Sequence, residues 1–475
     1  MMVSFQQSAR GALTILSAAL FAFCSVLVSC SQNCGKVRDI SLSAPGKNSL
    51  KVKVAIHSDD TLALAVRYWP KGSRDSVTET AFSATSESPS QVLTNLQPGR
   101  TYAYQLVTRR GTCTSAGKEY EFKSQQLPLW AQDQFRLVCP DPGILPAAFR
   151  DGYFLVYRRD LPGLIYLLDA KGNIRWYHQV NGTGVKMATF TPQQTILALL
   201  GDETYQTSYG NELLEINLSG DTLLHLKKGR DFQQTLHHEV LPYKDRLITI
   251  SSEEKVMNLS KRGGGKADTV KTDGILVMDR SGKTLWHWTI FDVLDPLQDP
   301  AIAKEKSDWM HANSLQVDKD GNYLLSFYNN GQIWKIDAQS GKVIWKFGKG
   351  GDYTLAGGDW FDNSHAAHIN AQGNLMLFDN GTKRLQSHVL SYRLDEATKV
   401  ATLAFDVPLP KDVYSERMGS AYLINDTTVL STCTKRNTVV LTNLQGRFLW
   451  ALRSNASPYR VEFIPKEKLF PFLTH

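Results

Sequence analysis

Several signals are scarce or missing in this chain of 475 residues. No basic run is dense enough to track a phosphate backbone. The net charge of +7 suits solvated surface lysines or an anionic small molecule rather than a nucleic acid. No CxxC spacing occurs among the six cysteines, so a zinc site is not expected. No second apolar run of spanning length follows the first thirty residues, and no Gly-rich phosphate loop is present. These gaps argue against a thiolate zinc module, a polytopic membrane protein and nucleotide-loop chemistry. Hydrophobic content of 42% and charged content of 21% are those of an ordinary globular protein, long enough for two or three domains.

What is present begins with a targeting segment. Arg10 supplies a positive start, residues 13–28 are apolar with small residues, and Leu27-Val28-Ser29-Cys30 matches the bacterial lipobox. The expectation is a lipoprotein signal peptide over 1–29, with Cys30 carrying the lipid and anchoring the chain to a membrane of the bacterial cell envelope. Ser31 does not look like an inner-membrane retention signal, so the outer membrane is preferred. An ordinary signal peptide or a transmembrane anchor is the alternative. Cys24 would leave with the peptide. Cys34, Cys113, Cys139 and Cys433 then remain, an even number in an oxidising compartment.

Residues 30–127 read as a small β-sandwich. Residues 49–56 and 62–68 alternate at period two. The segment Leu96-Gln97-Pro98-Gly99-Arg100-Thr101-Tyr102-Ala103-Tyr104 resembles the penultimate strand region of a fibronectin type III domain, where a buried tyrosine anchors the turn. No catalytic residue stands out here.

From residue 128 to 475 a strand-only unit recurs every 40–60 residues or so. Its clearest register is a Gly turn followed by a strand ending in tryptophan. It is seen at Gly172 to Trp176, Gly282 to Trp286, Gly341 to Trp345 and Gly446 to Trp450. Units of this length and composition predict an all-β fold, a six-bladed β-propeller, with inner strands starting near Phe149, Met187, His238, His311, His365 and Gly419. Ring closure suggests that 135–139 pairs beside 429–433. That assignment alone implies disulfides Cys139–Cys433 and Cys34–Cys113.

Five of the eleven histidines fall at one register in three units: His237 and His238, His311, and His365 and His368. A single histidine at a strand start is usually a turn residue. Three at one register of neighbouring blades would meet in the axial funnel. Clustered imidazoles suit either metal binding or nucleophilic and acid–base work. A metal needs a further inward ligand, and alternation would turn Glu239 away.

With these residues in view, the chain resembles the bacterial arylsulfate sulfotransferases that need no nucleotide sulfate donor. The resemblance rests on His237-His238-Glu239, on Asp308-Trp309-Met310-His311-Ala312-Asn313-Ser314, and on His365-x-Ala367 leading to Phe378-Asp379-Asn380-Gly381. It implies that His365 is a nucleophile taking the sulfuryl group from a phenolic sulfate and passing it to an acceptor phenol. His238 and His311 would bind sulfate oxygens and handle the phenol proton, with Asn313 and His368 as further substrate contacts. No cofactor is implied. Phenol and imidazole differ by only about three to four pKa units, so exchange between phenols is thermodynamically easy. The family's sulfate-clamping arginine is missing after the His-x-Asn-Ser motif. Tyr328 stands in that segment, and Lys186 and Arg417 are candidate substitutes. Two other readings stay open: a non-catalytic lipoprotein propeller that binds a ligand or protein partner, and a metal-dependent hydrolase. Oligomeric state is open, a homodimer included.

Overall fold

The computed structural model describes residues 34–45, 48–139, 141–205 and 208–469. Cys30 and the expected signal peptide lie outside the described residues.

Two small sheets come first. One joins Val37–Ser43, Val52–Ser58 and Ser90–Leu93. The other joins Thr78–Glu79, Ala63–Pro70, Thr101–Arg110 and Cys113–Lys123. Period-two alternation turns Val54, Ile56, Leu64, Val66 and Leu106 into one shared apolar core. Tyr102 is buried, and its hydroxyl accepts a hydrogen bond from Gln97 N at 2.8 Å, tying down the Pro-Gly turn. Cys34 and Cys113 form the expected disulfide. The module docks on the strand Ile174–Val180 through Tyr177: Ser49 N donates to its hydroxyl at 2.8 Å and Asn48 Nδ2 to its carbonyl at 2.6 Å.

Six sheets make up the rest of the described residues, three of four strands and three of five, antiparallel except where Thr354–Leu355 pairs with Val400–Pro408. The second to sixth lead with Gly184–Phe190, Thr235–Tyr243, Ala312–Val317, Ser364–Ile369 and Ser420–Asn425. The expected starts at Met187, His238, His311, His365 and Gly419 fall in or beside these strands. Leading strands of successive sheets pack side by side. Each sheet buries both faces, as its near-continuous apolar strands require; Thr195–Gly201, Tyr323–Phe327 and Leu375–Asp379 are buried throughout.

The first sheet departs from expectation. Its leading strand is not near Phe149 but is Glu462–Ile464, from the far end of the chain, paired with Tyr153–Arg158. Three residues carry too little pattern to be seen in sequence. Sheets one and six share an apolar core that includes Phe154, Val156, Leu430, Leu441 and Trp450.

The expected Cys139–Cys433 disulfide is corrected by the strand order. Phe135–Val138 pairs with Phe448–Ser454 at the outer edge of sheet six, not beside Thr428–Cys433. Two strands separate the cysteines, well beyond the 4.4–6.8 Å that a disulfide allows between Cα atoms, and both are free thiols.

Two of the repeated tryptophans, Trp176 and Trp450, and one neighbour, Trp288, are staples between sheets. Trp176 Nε1 donates to Leu218 O at 2.7 Å, Trp288 Nε1 to Gly341 O at 2.9 Å, and Trp450 Nε1 to Ala170 O at 2.9 Å. In each case the acceptor lies in a turn of the next sheet; for Trp450 that is sheet one. In the third sheet the staple is Trp288, not the Trp286 that the Gly-to-Trp register suggested.

Candidate active site

The histidine register is a β-bulge. Pairing of the leading strand shifts between Val185 and Met187, between His237 and Val240, between Ala312 and Ser314, and between His365 and His368. A bulge breaks alternation and re-aims side chains. Left-handed backbone goes with it: φ is 59° at His238, 57° at His311 and 51° at Ala366. Non-glycine residues hold that conformation at a cost of about 1–3 kcal/mol each, a strain that clusters at functional sites. Four consecutive sheets repeat the device.

His238, His311 and His365 line one cavity of about 550 Å³, together with Tyr209, Asp308, Tyr328 and Arg417. The rings of His238 and His311 are 5.2 Å apart, and Tyr328 lies 5.9 Å from His311 and 5.1 Å from His365.

Each imidazole is anchored through Nδ1. Asn380 Nδ2 donates to Ser415 O and Met418 O, both at 2.8 Å, so its Oδ1 is the acceptor facing His365 Nδ1 at 2.7 Å. His365 therefore carries its proton on Nδ1 and a lone pair on Nε2. Burial, together with the charges of His311 and Arg460, lowers its pKa to about 3 against the Asn380 hydrogen bond, so the ring is neutral at physiological pH. His311 Nδ1 donates to Asp308 Oδ2 at 2.8 Å. Burial opposes its cationic form, but that hydrogen bond and the charges of Asp308 and Asp273 outweigh it and raise the pKa. His238 Nδ1 lies 2.7 Å from His237 Nδ1, and His237 Nε2 lies 3.3 Å from Asp273 Oδ1. His237 Nε2 makes no hydrogen bond, but the Asp273 charge beside it favours a proton there; His238 Nδ1 is then the donor of the pair and its Nε2 is free. Burial, then the neighbouring imidazoles and Arg460, hold the His238 pKa well below the usual value. One wall thus offers two neutral imidazoles and one poised to be cationic.

Beneath the imidazoles lies a buried ion pair. Arg460 Nη1 donates to Glu239 Oε2, and Nη2 donates to Asn313 O at 2.6 Å. Tyr459 packs 5.9 Å from His238. Glu239 and Arg460 line a second cavity of about 370 Å³ with His368 and Tyr422.

Of the expected site residues, the structure brings together His238, His311, His365, Tyr328 and Arg417. Three lie elsewhere. Asn313 is buried behind the wall, where its Nδ2 donates to Ser364 O at 2.7 Å and joins sheets four and five. Lys186 is buried beside the wall, its Nζ 3.4 Å from Tyr205 O. His368 follows the bulge into the second cavity, its Nδ1 donating to Ala366 O at 2.9 Å. Sequence reasoning missed Asp308, Asn380, His237 and Asp273 as imidazole partners, and Arg159 and Arg460 as cations at the site. Asp308 and Asn380 stand inside the quoted motifs and were within reach of that signal. Asp273, Arg159 and Arg460 carry none.

An all-β chain with an imidazole-lined cavity at the leading strands of its sheets is the class that fold and site define. The chain belongs to the arylsulfotransferase family, whose model, described as Arylsulfotransferase (ASST), matches residues 145–444. It is similar to the arylsulfate sulfotransferase AssT of Escherichia coli O6:H1, at 22% identity over 50% of this chain and 51% of that protein. The AssT of Lelliottia amnigena matches at the same 22% identity and the same shares. The chain thus spans about half the length of these curated relatives. Among solved structures, a Bacteroides caccae protein of unknown function is similar at 11% identity and a TM-score of 0.42, over 66% of this chain and 98% of that one. Virginiamycin B lyase of Staphylococcus aureus is similar at 10% identity and a TM-score of 0.36, over 70% and 96%. Both likenesses are too distant to carry an argument.

Proposed function

We propose that this protein is an aryl sulfotransferase that moves a sulfuryl group from a phenolic sulfate ester to an acceptor phenol through a sulfohistidine on His365, without a nucleotide sulfate donor. The observation that carries the reading is the fixed tautomer of His365: Asn380 holds Nδ1–H and leaves the Nε2 lone pair to the cavity.

In the first half-reaction His365 Nε2 attacks sulfur as the S–O bond to the aryl group breaks. The departing phenolate takes the proton from His311 Nε2, and Asp308 stabilises the imidazolium before transfer. Sulfuryl transfer, like phosphoryl transfer, is expected to be loose, so placement and charge stabilisation dominate. In the second half-reaction an acceptor phenol returns its proton to His311 and takes the sulfuryl group. His238 Nε2, a lone pair in the neutral ring, accepts a hydrogen bond from a phenol hydroxyl rather than donating to sulfate. Tyr328 is spent in part, since its hydroxyl donates to Glu416 O at 3.2 Å.

The six sheets are read as blades of one closed propeller. The Trp450 bond to Ala170, the exchange of end strands and the core shared by sheets one and six support this. The first module is read as fibronectin III-like, and the chain as lipid-anchored at Cys30 in the bacterial cell envelope.

Intact mass spectrometry after mixing with 4-nitrophenyl sulfate tests the chemistry. An added sulfuryl mass that maps to His365, and 4-nitrophenol release that depends on added phenol and vanishes in His365→Ala, are expected. A folded protein that gains no mass and turns over no aryl sulfate refutes the reading.

A further inference from the structure

Arg159 raises a question that the histidines do not answer. It stands just after the strand Tyr153–Arg158 of the first sheet and is 7% exposed, yet it lines the same cavity as the three imidazoles. Among the described residues no carboxylate lies within ion-pair distance of it. Its Nη1 lies 3.4 Å from Met418 Sδ, a poor acceptor, and its guanidinium sits 5.2 Å from the Tyr459 ring. A buried guanidinium with no counter-charge is costly to hold unless an anion arrives. Arg460 makes the contrast: it is equally buried, but Glu239 neutralises it.

The surroundings extend the positive charge. Arg417 and Lys435 line the same cavity, and Lys435 Nζ lies 3.9 Å from Glu416, a loose contact. Cations therefore come from segments bordering sheets one and six, and imidazoles from sheets three to five. Spacing decides what such a division recognises. Tyr459 contacts the Arg159 guanidinium at 5.2 Å and the His238 ring at 5.9 Å, so the gap from guanidinium to imidazole is at most two such contacts long. A ligand with a sulfate at the imidazoles would hold its own ring across that gap and meet Arg159 at its far edge.

We propose that the cavity selects aryl sulfates bearing a second anionic substituent, a carboxylate or sulfonate, and that Arg159 binds that group, with Lys435 and Arg417 adding charge at the rim. This rests on the aryl sulfotransferase reading for the identity of the first group. The second group binds by charge-assisted hydrogen bonds and takes no part in bond making.

The test uses unreactive probes, so that binding is read apart from transfer. Calorimetry on the full chain compares 4-sulfobenzoate, a dianion whose C–S bond does not transfer, with benzenesulfonate. The dianion is expected to bind tighter by about 10-fold or more, the scale of one charged hydrogen-bonded contact. Arg159→Gln should bring the ratio close to one and Arg159→Lys should keep part of it. Because a buried substitution can disturb folding, the exposed Arg417→Ala and the rim Lys435→Ala provide a second arm, each reducing the ratio a few-fold. Equal binding of the two probes by the unmodified chain, or an undiminished ratio in folded Arg159→Gln, overturns the proposal. A retained dianion preference in a protein that transfers no sulfuryl group upholds the anion site and refutes the transfer reading alone.

Discussion

His365 and His311 are the same side chain beside the same kind of bulge, yet their partners set them apart. An amide fixes the tautomer of one, which burial keeps neutral with its lone pair forward; a carboxylate favours the cation in the other. The sign of the pH dependence is set by this difference. His365 stays neutral at any pH above about 3, so it sets no limb in the working range. His311 is cationic below its raised pKa and loses its proton above it, so kcat/KM for the donor should be level below that pKa and fall on its alkaline side. Asp308→Asn removes the charge that favours the cation and should move that limb to lower pH, readable from a pH–rate profile. An unmoved limb would take the acid role away from His311. At this scale much was legible in sequence, because the three histidines announce themselves by repetition. The residues that tune them were harder to see: Asp273 reaches the site from another strand of sheet three, and its hydrogen bond to Ala312 N at 2.8 Å has no periodicity to betray it.

Among the elements, the bulge explains where alternation misled. Strict period two turned Glu239 away from the site, to the opposite face of its strand. Instead the bulge buries His238 and Glu239 one above the other, the first in the upper cavity and the second in the lower. It likewise separates His365 from His368. The Gly-to-Trp ending, by contrast, was plain in sequence, because a large apolar ring after a Gly turn stands out; its bond to a neighbouring sheet holds for Trp176 and Trp450 but passes to Trp288 in sheet three, and buried Trp345 makes none. Trp450 shows what that ending does, packing against Phe149 and Phe154 at centroid distances of 5.1 and 5.3 Å while its Nε1 reaches Ala170 O. Trp450→Phe keeps most of the apolar contact and leaves that carbonyl unpaired. A loss of about 1–3 kcal/mol is expected in urea denaturation, with the fold retained. A loss near zero would mean that the staple adds nothing to sheet packing.

Over the whole molecule, the two ends of the repeat region serve opposite flanks of one seam: Phe135–Val138 is the outer strand of sheet six and Glu462–Ile464 the leading strand of sheet one. A periodic reading anticipated exchange at the seam but placed the first partner wrongly, because the outer edge of sheet six offers the same hydrogen-bonding groups as any free edge. Cys139 and Cys433 should accordingly react as two thiols when the unreduced chain is denatured. The buried pair of Arg460 and Glu239 belongs to this scale as well, since it joins the end of the chain to sheet three. Glu239→Gln strands a buried guanidinium and should cost about 3–5 kcal/mol, whereas replacing both residues by Leu and Met should recover most of it. Matched urea curves for the single and double variants check this; equal losses would deny that the two charges depend on each other.

The order in which these parts leave the ribosome has a consequence of its own. By residue 455 a nascent polypeptide already owns every imidazole of the cavity and every partner that orients one, yet Glu239 beneath them still lacks its cation. Tyr459, Arg460 and the strand Glu462–Ile464 follow after that point, and they supply the base of the pocket and the missing edge of the first sheet together. A product cut short at residue 455 therefore lacks both the Arg460 partner of Glu239 and the strand that edges sheet one, and its pocket has no finished base.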